Sequence, residues 1–129
     1  MRRPSLLELA SRLLSSGPHK QEVTPRRVRA LFNHVMIADT TKAQHVWEHP
    51  YFPQFYLPKD ALSKMAALEK GKAVDGTNAA FLATLKVRDR ATDRIVLFEK
   101  GPLEGLVRIE FGAMGIVFCL LDLVILVIM

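Results

Sequence analysis

One cysteine, Cys119, is all the chain has, so no intrachain disulfide, cysteine-based zinc cluster or Cys-x-x-Cys redox pair can form. Asp-x-Asp is missing too, which withholds the closely spaced carboxylates that two-metal phosphoryl transfer needs. Neither Gly-x-Gly-x-x-Gly nor Gly-x-x-x-x-Gly-Lys occurs, so no glycine loop of these kinds cradles a phosphate. Serine is confined to positions 5, 11, 15, 16 and 63, and none sits in a nucleophile elbow. Aromatic residues are absent before Phe32, yet the basic surplus lies there. Residues 1–30 hold seven Lys or Arg against two Glu, whereas residues 31–111 hold eleven against ten acids. Nucleic-acid modules interleave basic and aromatic side chains on one face, so nucleic acid is not expected as a partner.

What is present suits one small globular domain: 129 residues, half of them apolar and about a quarter charged. Ser5-Leu6-Leu7-Glu8 has capping-box spacing, and Leu6, Leu9 and Leu13 share a helix face until Gly17-Pro18 ends the run. This Arg- and Ser-rich helix also permits a mitochondrial presequence, but Glu8 is atypical of one, and packing on the chain's own domain is preferred. Val28 to Phe32 and Val35 to Ala38 read as strands around an Asn33-His34 turn. Asp39, Thr40 or Thr41 is expected to cap a short helix carrying Ala43, Val46 and Trp47, and Phe55-Tyr56-Leu57 is extended. Leu62, Met65, Ala66 and Glu69 have helical spacing between Pro58 and Lys70, with Gly71 as the stop. Ala79 to Val87 and Arg94 to Glu99 are strands around the polar turn 88–93, and Leu106 to Phe111 is another. Val28, Leu31, Ile37, Trp47, Leu85, Val96 and Val107 are the expected core. The fold class is α+β, mainly β: residues 1–18 an amphipathic helix, 24–114 a β-rich domain, 115–129 an apolar tail.

His45-Val46-Trp47-Glu48-His49 matches the letters of the His-x-x-Glu-His zinc-protease signature, but Pro50 follows at once and disfavours the continuous helix that chemistry requires. The preferred reading makes Trp47 a core anchor and the two histidines its partly exposed neighbours. Asp89 and Asp93 belong to a solvated hairpin tip. No catalytic residue, metal ligand or cofactor is assigned. Trp47, Tyr51, Phe52, Phe55 and Tyr56 place half of the ten aromatic residues within ten positions. They are read first as core; if they line a ligand groove, Trp47, Tyr56 and Lys59 are the candidate binding residues.

Val28-Arg29-Ala30-Leu31-Phe32-Asn33, Ile37-Ala38-Asp39-Thr40 and Tyr56-Leu57-Pro58 resemble the family called domain of unknown function 427, which also carries the label nucleotidyltransferase-like. Val46-Trp47-Glu48-His49-Pro50 and Phe98-Glu99-Lys100-Gly101-Pro102-Leu103 through Phe111 resemble the first copy of its two-copy members, over about residues 5 to 114. The resemblance implies a small, strongly curved β structure of the β-tent type and no agreed catalytic residues. Two features depart from it: a Cys-Pro-Tyr-Lys-Gly motif is missing between Leu57 and Ala79, and the pattern breaks after Met114.

From Gly112 to Met129 the chain has eighteen residues and one charge, which as a helix reaches ~27 Å against a hydrocarbon core of ~30 Å. Three readings compete: a membrane anchor, with association through Ile116 to Met129; a pair of core strands; or a gene-model error, preferred because the family pattern stops abruptly. Cutting a β domain at residue 114 is expected to expose an edge and cause aggregation, and the tail to add further apolar surface. The functional expectation is an uncharacterised, non-enzymatic ligand- or protein-binding module, with a nucleotidyltransferase-like enzyme or a membrane-anchored fragment as alternatives. A cytoplasmic location is expected for the domain, or a single-pass membrane one if the tail is an anchor.

Overall fold

Ser5 caps the first helix as its spacing predicts, its hydroxyl accepting the Glu8 N–H at 3.1 Å. The helix α1 (Leu6–Ser16) ends at Gly17, whose φ of 73° suits a residue without a Cβ and whose N–H donates to the Leu13 carbonyl. Leu6, Leu9, Ala10 and Leu13 are buried, so the leucine stripe is the face that packs. The computed structural model describes residues 5–76, 78–110, 116–119 and 123–128.

Eleven strands are described after the helix: β1 (Lys20–Val23), β2 (Arg27–Phe32), β3 (Val35–Thr40), β4 (Gln44–Trp47), β5 (Gln54–Pro58), β6 (Ala67–Ala73), β7 (Ala80–Val87), β8 (Arg90–Phe98), β9 (Leu106–Ile109), β10 (Ile116–Cys119) and β11 (Leu123–Ile128). They form a seven-stranded sheet in the order β1-β4-β5-β9-β8-β7-β6 and a four-stranded sheet in the order β10-β11-β2-β3. Neighbours in the larger sheet are antiparallel, whereas β11 joins β2 in parallel. The chain is therefore mainly β with one α-helix, at its N-terminal end, among the described residues.

Both faces of the larger sheet are covered, which is why Ile95-Val96-Leu97-Phe98 is buried without a break. Ile95, Leu97, Val107 and Ile109 point to one side and pack with Val28, Ala30, Phe32 and Ile37 of the smaller sheet. Val46, Tyr56, Val96, Phe98 and Leu106 point to the other and pack under the leucines of α1. Of the seven expected core residues, Val28, Ile37, Leu85, Val96 and Val107 are buried, while Leu31 and Trp47 are half-buried.

The Asn33-His34 turn forms as expected, with φ of 52° and 63°, the two positive values that a two-residue type I′ loop demands. Asn33 also donates its side-chain amide to the Val87 carbonyl at 3.0 Å and to Asp89 at 3.1 Å, fastening this turn to the β7–β8 turn. That second turn is tighter than expected: Val87 pairs with Arg90, leaving only Arg88 and Asp89 outside the ladder.

Two expected helices do not form. Residues 44–47 are β4, held between β1 and β5, because ladders on both sides supply the backbone bonds that a single helical turn before Pro50 could not. Between Pro58 and Lys70 there is only a 3-10 turn, Lys59–Ala61, followed by β6. β6 is an edge strand whose Leu68 packs against the core, and Gly71 is not a stop. Gly71 sits at a register shift where a Cβ would come within 3.0 Å of the Leu82 carbonyl oxygen.

Of the stretch Gly112 to Met129, residues 116–119 and 123–128 are described, and both are strands. Val124 and Leu126 lie in the core beside β2, as the strand-pair reading expects of that part of the tail. No helix among the described residues is long and apolar enough to cross a membrane. The pattern break after Met114 falls outside the described residues.

Candidate functional site

Leu106-Val107-Arg108-Ile109 is an apolar strand interrupted by one charge. Alternation turns Arg108 to the α1 side, and its cross-strand partners are Tyr56 and Val96. Glu48, one residue past β4 and two past the buried Val46, reaches the same space. Arg108 donates through Nε to Glu48 Oε2 at 2.5 Å and through Nη2 to Oε1 at 3.3 Å, a two-pronged pair with 11% and 6% side-chain exposure. The Tyr56 hydroxyl donates to the same Oε2 at 2.5 Å. Burial, and then the Glu48 charge, push the Tyr56 phenol well above its ordinary range. Burial alone would lower the Arg108 guanidinium, but Glu48 outweighs it and holds the group above its usual value. Arg108 Nη1 is buried with no hydrogen-bond partner.

A cavity of about 340 Å³ opens beside this network, at one end of α1. The helix contributes Leu6, Leu9 and Arg12, and Arg12 Nη2 donates to the Glu48 carbonyl at 3.0 Å. The β4–β5 connection contributes His49, Phe52 and Gln54. Arg94 and Glu110 line the sheet side, joined through Arg94 Nε to Oε2 at 2.9 Å and Nη2 to Oε1 at 3.3 Å. Hydrogen bonding to Glu110 holds the Arg94 guanidinium above its ordinary value. Phe52 is 54% exposed, so the rim on this side is aromatic and open. The His49 ring meets Phe52 edge-on at 4.3 Å, and its Nδ1 accepts the Tyr51 N–H at 3.2 Å.

The three candidate binding residues do not share one site. Tyr56 is buried, stacked on Phe98 at 6.1 Å, and meets the cavity through its neighbours Glu48 and Arg108. Trp47 is half-buried under the Lys20 ammonium, 5.0 Å from its ring centre. Lys59 lies at an open groove of about 830 Å³, shared with Lys42, Asp60 and Glu104. His45 turns to the opposite face from Glu48, packing edge-on against Trp47 and Phe55 at 6.0 and 4.7 Å, where burial lowers its pKa. His45 and His49 are both partly exposed, but as members of a strand and a loop. Among the described residues no three His, Cys, Asp or Glu side chains gather as metal ligands.

Sequence reasoning passed over Arg12, Glu48, Arg94, Arg108 and Glu110 as site residues. Two of them left a trace. Arg108 is a lone charge in an apolar strand, which in a sheet covered on both faces must find a buried partner. Glu48 attracted notice as a letter in the His-x-x-Glu-His match and in the family-like run Val46 to Pro50.

A family model described as Domain of unknown function (DUF427) matches residues 20–110, more than half of the chain. No curated protein and no solved structure matches. The matched region holds Glu48, Tyr56, Arg94, Arg108 and Glu110 and leaves α1 outside it.

Proposed function

We propose, for a chain that belongs to the domain of unknown function 427 family, that its role is to bind a small molecule without turning it over. The ligand site is the cavity at the end of α1. The observation that carries this reading is the buried Arg108–Glu48–Tyr56 network beside a cavity of about 340 Å³, with one guanidinium nitrogen left unpaired. Cavities of roughly 300–1,000 Å³ lined by apolar groups and a few convergent polar ones are the usual form of a small-molecule site. The partner is a small molecule and not nucleic acid, since the basic arm before Phe32 has no aromatic platform.

A thermal-stability screen of small metabolites tests the proposal, with Gln54→Trp as the blocked control, because Gln54 lines the cavity from the start of β5. At least one compound should raise the melting temperature of the parent and not of Q54W. Equal stabilisation of both proteins would place binding elsewhere. Magnesium-dependent consumption of a nucleoside triphosphate by the purified chain would overturn the non-enzymatic reading.

A further inference from the structure

We infer that Ser5 is a phosphorylation site for an arginine-directed protein kinase, and that its phosphate then caps α1. The inference is independent of what the cavity binds. Arg2-Arg3-Pro4-Ser5-Leu6 puts guanidinium groups at the third and second positions before a serine and an apolar residue directly after it. Kinases that choose basic substrates meet such arginines with carboxylates, for which the planar, always charged guanidinium is the fitting partner. No other serine or threonine in the chain has arginine at both positions. Ser15 comes nearest, with Arg12 three residues before it, but it lies within α1, where its hydroxyl donates to the Arg12 carbonyl at 3.2 Å. Ser5 stands at the flank of the helix. It is exposed, and its φ of −66° and ψ of 159° are the extended backbone in which a kinase cleft takes its substrate.

In the transfer, Ser5 Oγ attacks the γ-phosphorus of a nucleoside triphosphate. The Oγ–P bond forms as the bond to the bridging oxygen breaks, the diphosphate leaves with the electron pair, and the hydroxyl proton passes to the kinase's base. Leu6 is 7% exposed, so the first turn of α1 opens while the kinase holds the chain, and terminal turns are the parts of a fold that open most readily. When the turn closes again, phosphoryl oxygens replace the hydroxyl that accepts the Glu8 N–H at 3.1 Å. The first N–H groups of a helix have no partners within it, and a charge of about −1.5 to −2 sits at the positive end of the helix dipole. The Glu8 carboxylate repels that charge, but the free N–H groups bond it directly, so the phosphorylated cap is the stronger one. Leu6 and Leu9 of this end line the cavity, and firmer capping steadies that wall.

The full chain, incubated with magnesium, ATP and the catalytic subunit of cyclic-AMP-dependent protein kinase, tests the inference by peptide mass mapping. One phosphoryl group on Ser5 is expected, absent from Ser5→Ala and added at least about tenfold more slowly to Arg2→Ala with Arg3→Ala, which keeps the Ser5 cap. The phosphorylated chain should melt above the unmodified one, and Ser5→Ala, which lacks the acceptor, below it. No phosphate on Ser5, phosphate mainly on Ser15, or an unchanged rate in the arginine variant would each overturn the site. A phosphorylated chain that melts below the unmodified one would overturn the capping role.

Discussion

Removing Glu48 is the perturbation that most directly probes the network under α1. Glu48→Ala leaves the Arg108 guanidinium buried with none of its present carboxylate bonds, and leaves the Tyr56 hydroxyl without its acceptor. Breaking a buried pair from one side costs about 3–5 kcal/mol, because the surviving charge has lost water and partner alike. Whole domains are stable by only about 5–15 kcal/mol, so the variant should forfeit a fifth or more of its stability and melt well below the parent. Removing every member together is a different matter. In Glu48→Leu with Tyr56→Phe and Arg108→Met no polar group is stranded, and stability should return to within about 2 kcal/mol of the parent or exceed it. Urea unfolding at neutral pH, read by circular dichroism with the denaturant slope checked for constancy, gives both numbers. An E48A variant within about 1 kcal/mol of the parent would refute the reasoning, since it would mean that water reaches Arg108 in the folded chain. A triple variant no better than E48A would refute it from the other side.

Ending the chain at residue 114 removes β11, and the lost burial of Val124 and Leu126 alone is worth about 3–6 kcal/mol. With the β2 edge also bared, sedimentation should show association, and a monomeric, cooperatively melting 1–114 chain would contradict the strand pairing. His34→Gly should raise stability by up to about 1 kcal/mol, because exposed His34 holds φ 63° at the second position of a type I′ turn; an unchanged or lowered urea midpoint would count against that turn. The Asp39 carboxyl is held below its ordinary value, chiefly by the Arg27 hydrogen bond, and Glu99 likewise by Lys70. A depressed folded pKa adds stability above the unfolded value that is lost as pH falls through the folded one, so the melting temperature should drop below about pH 4, and less steeply in Asp39→Asn with Glu99→Gln. Tyr56 should add nothing to phenolate absorbance while the chain is folded, so the native alkaline titrations of parent and Tyr56→Phe should superimpose up to the unfolding step.

By itself the sequence determined whatever a few neighbouring residues can decide. Ser5, Glu8 and Gly17 delimit α1 because capping and left-handed backbone are local chemistry. Asn33-His34 places the β2–β3 hairpin because two-residue loops admit few residue types. The strand-like runs of β7 to β9, together with the quoted motifs, carried the mainly β class and the family. Tertiary structure alone decided which short apolar runs became strands. Residues 44–47 and 67–73 are too short for periodicity to separate helix from strand, and their state follows from ladders to partners distant in the chain. The tail follows the same logic, since an apolar stretch reads alike as anchor or strand until β2 offers a parallel edge. The site was least legible of all. Glu48 and Arg108 lie sixty residues apart and meet only because β4, β5 and β9 are neighbours in one sheet, while Arg12 arrives from the helix laid across it. Local pattern can mark Arg108 as out of place in an apolar strand; only the packing of the sheet under α1 supplies its partner.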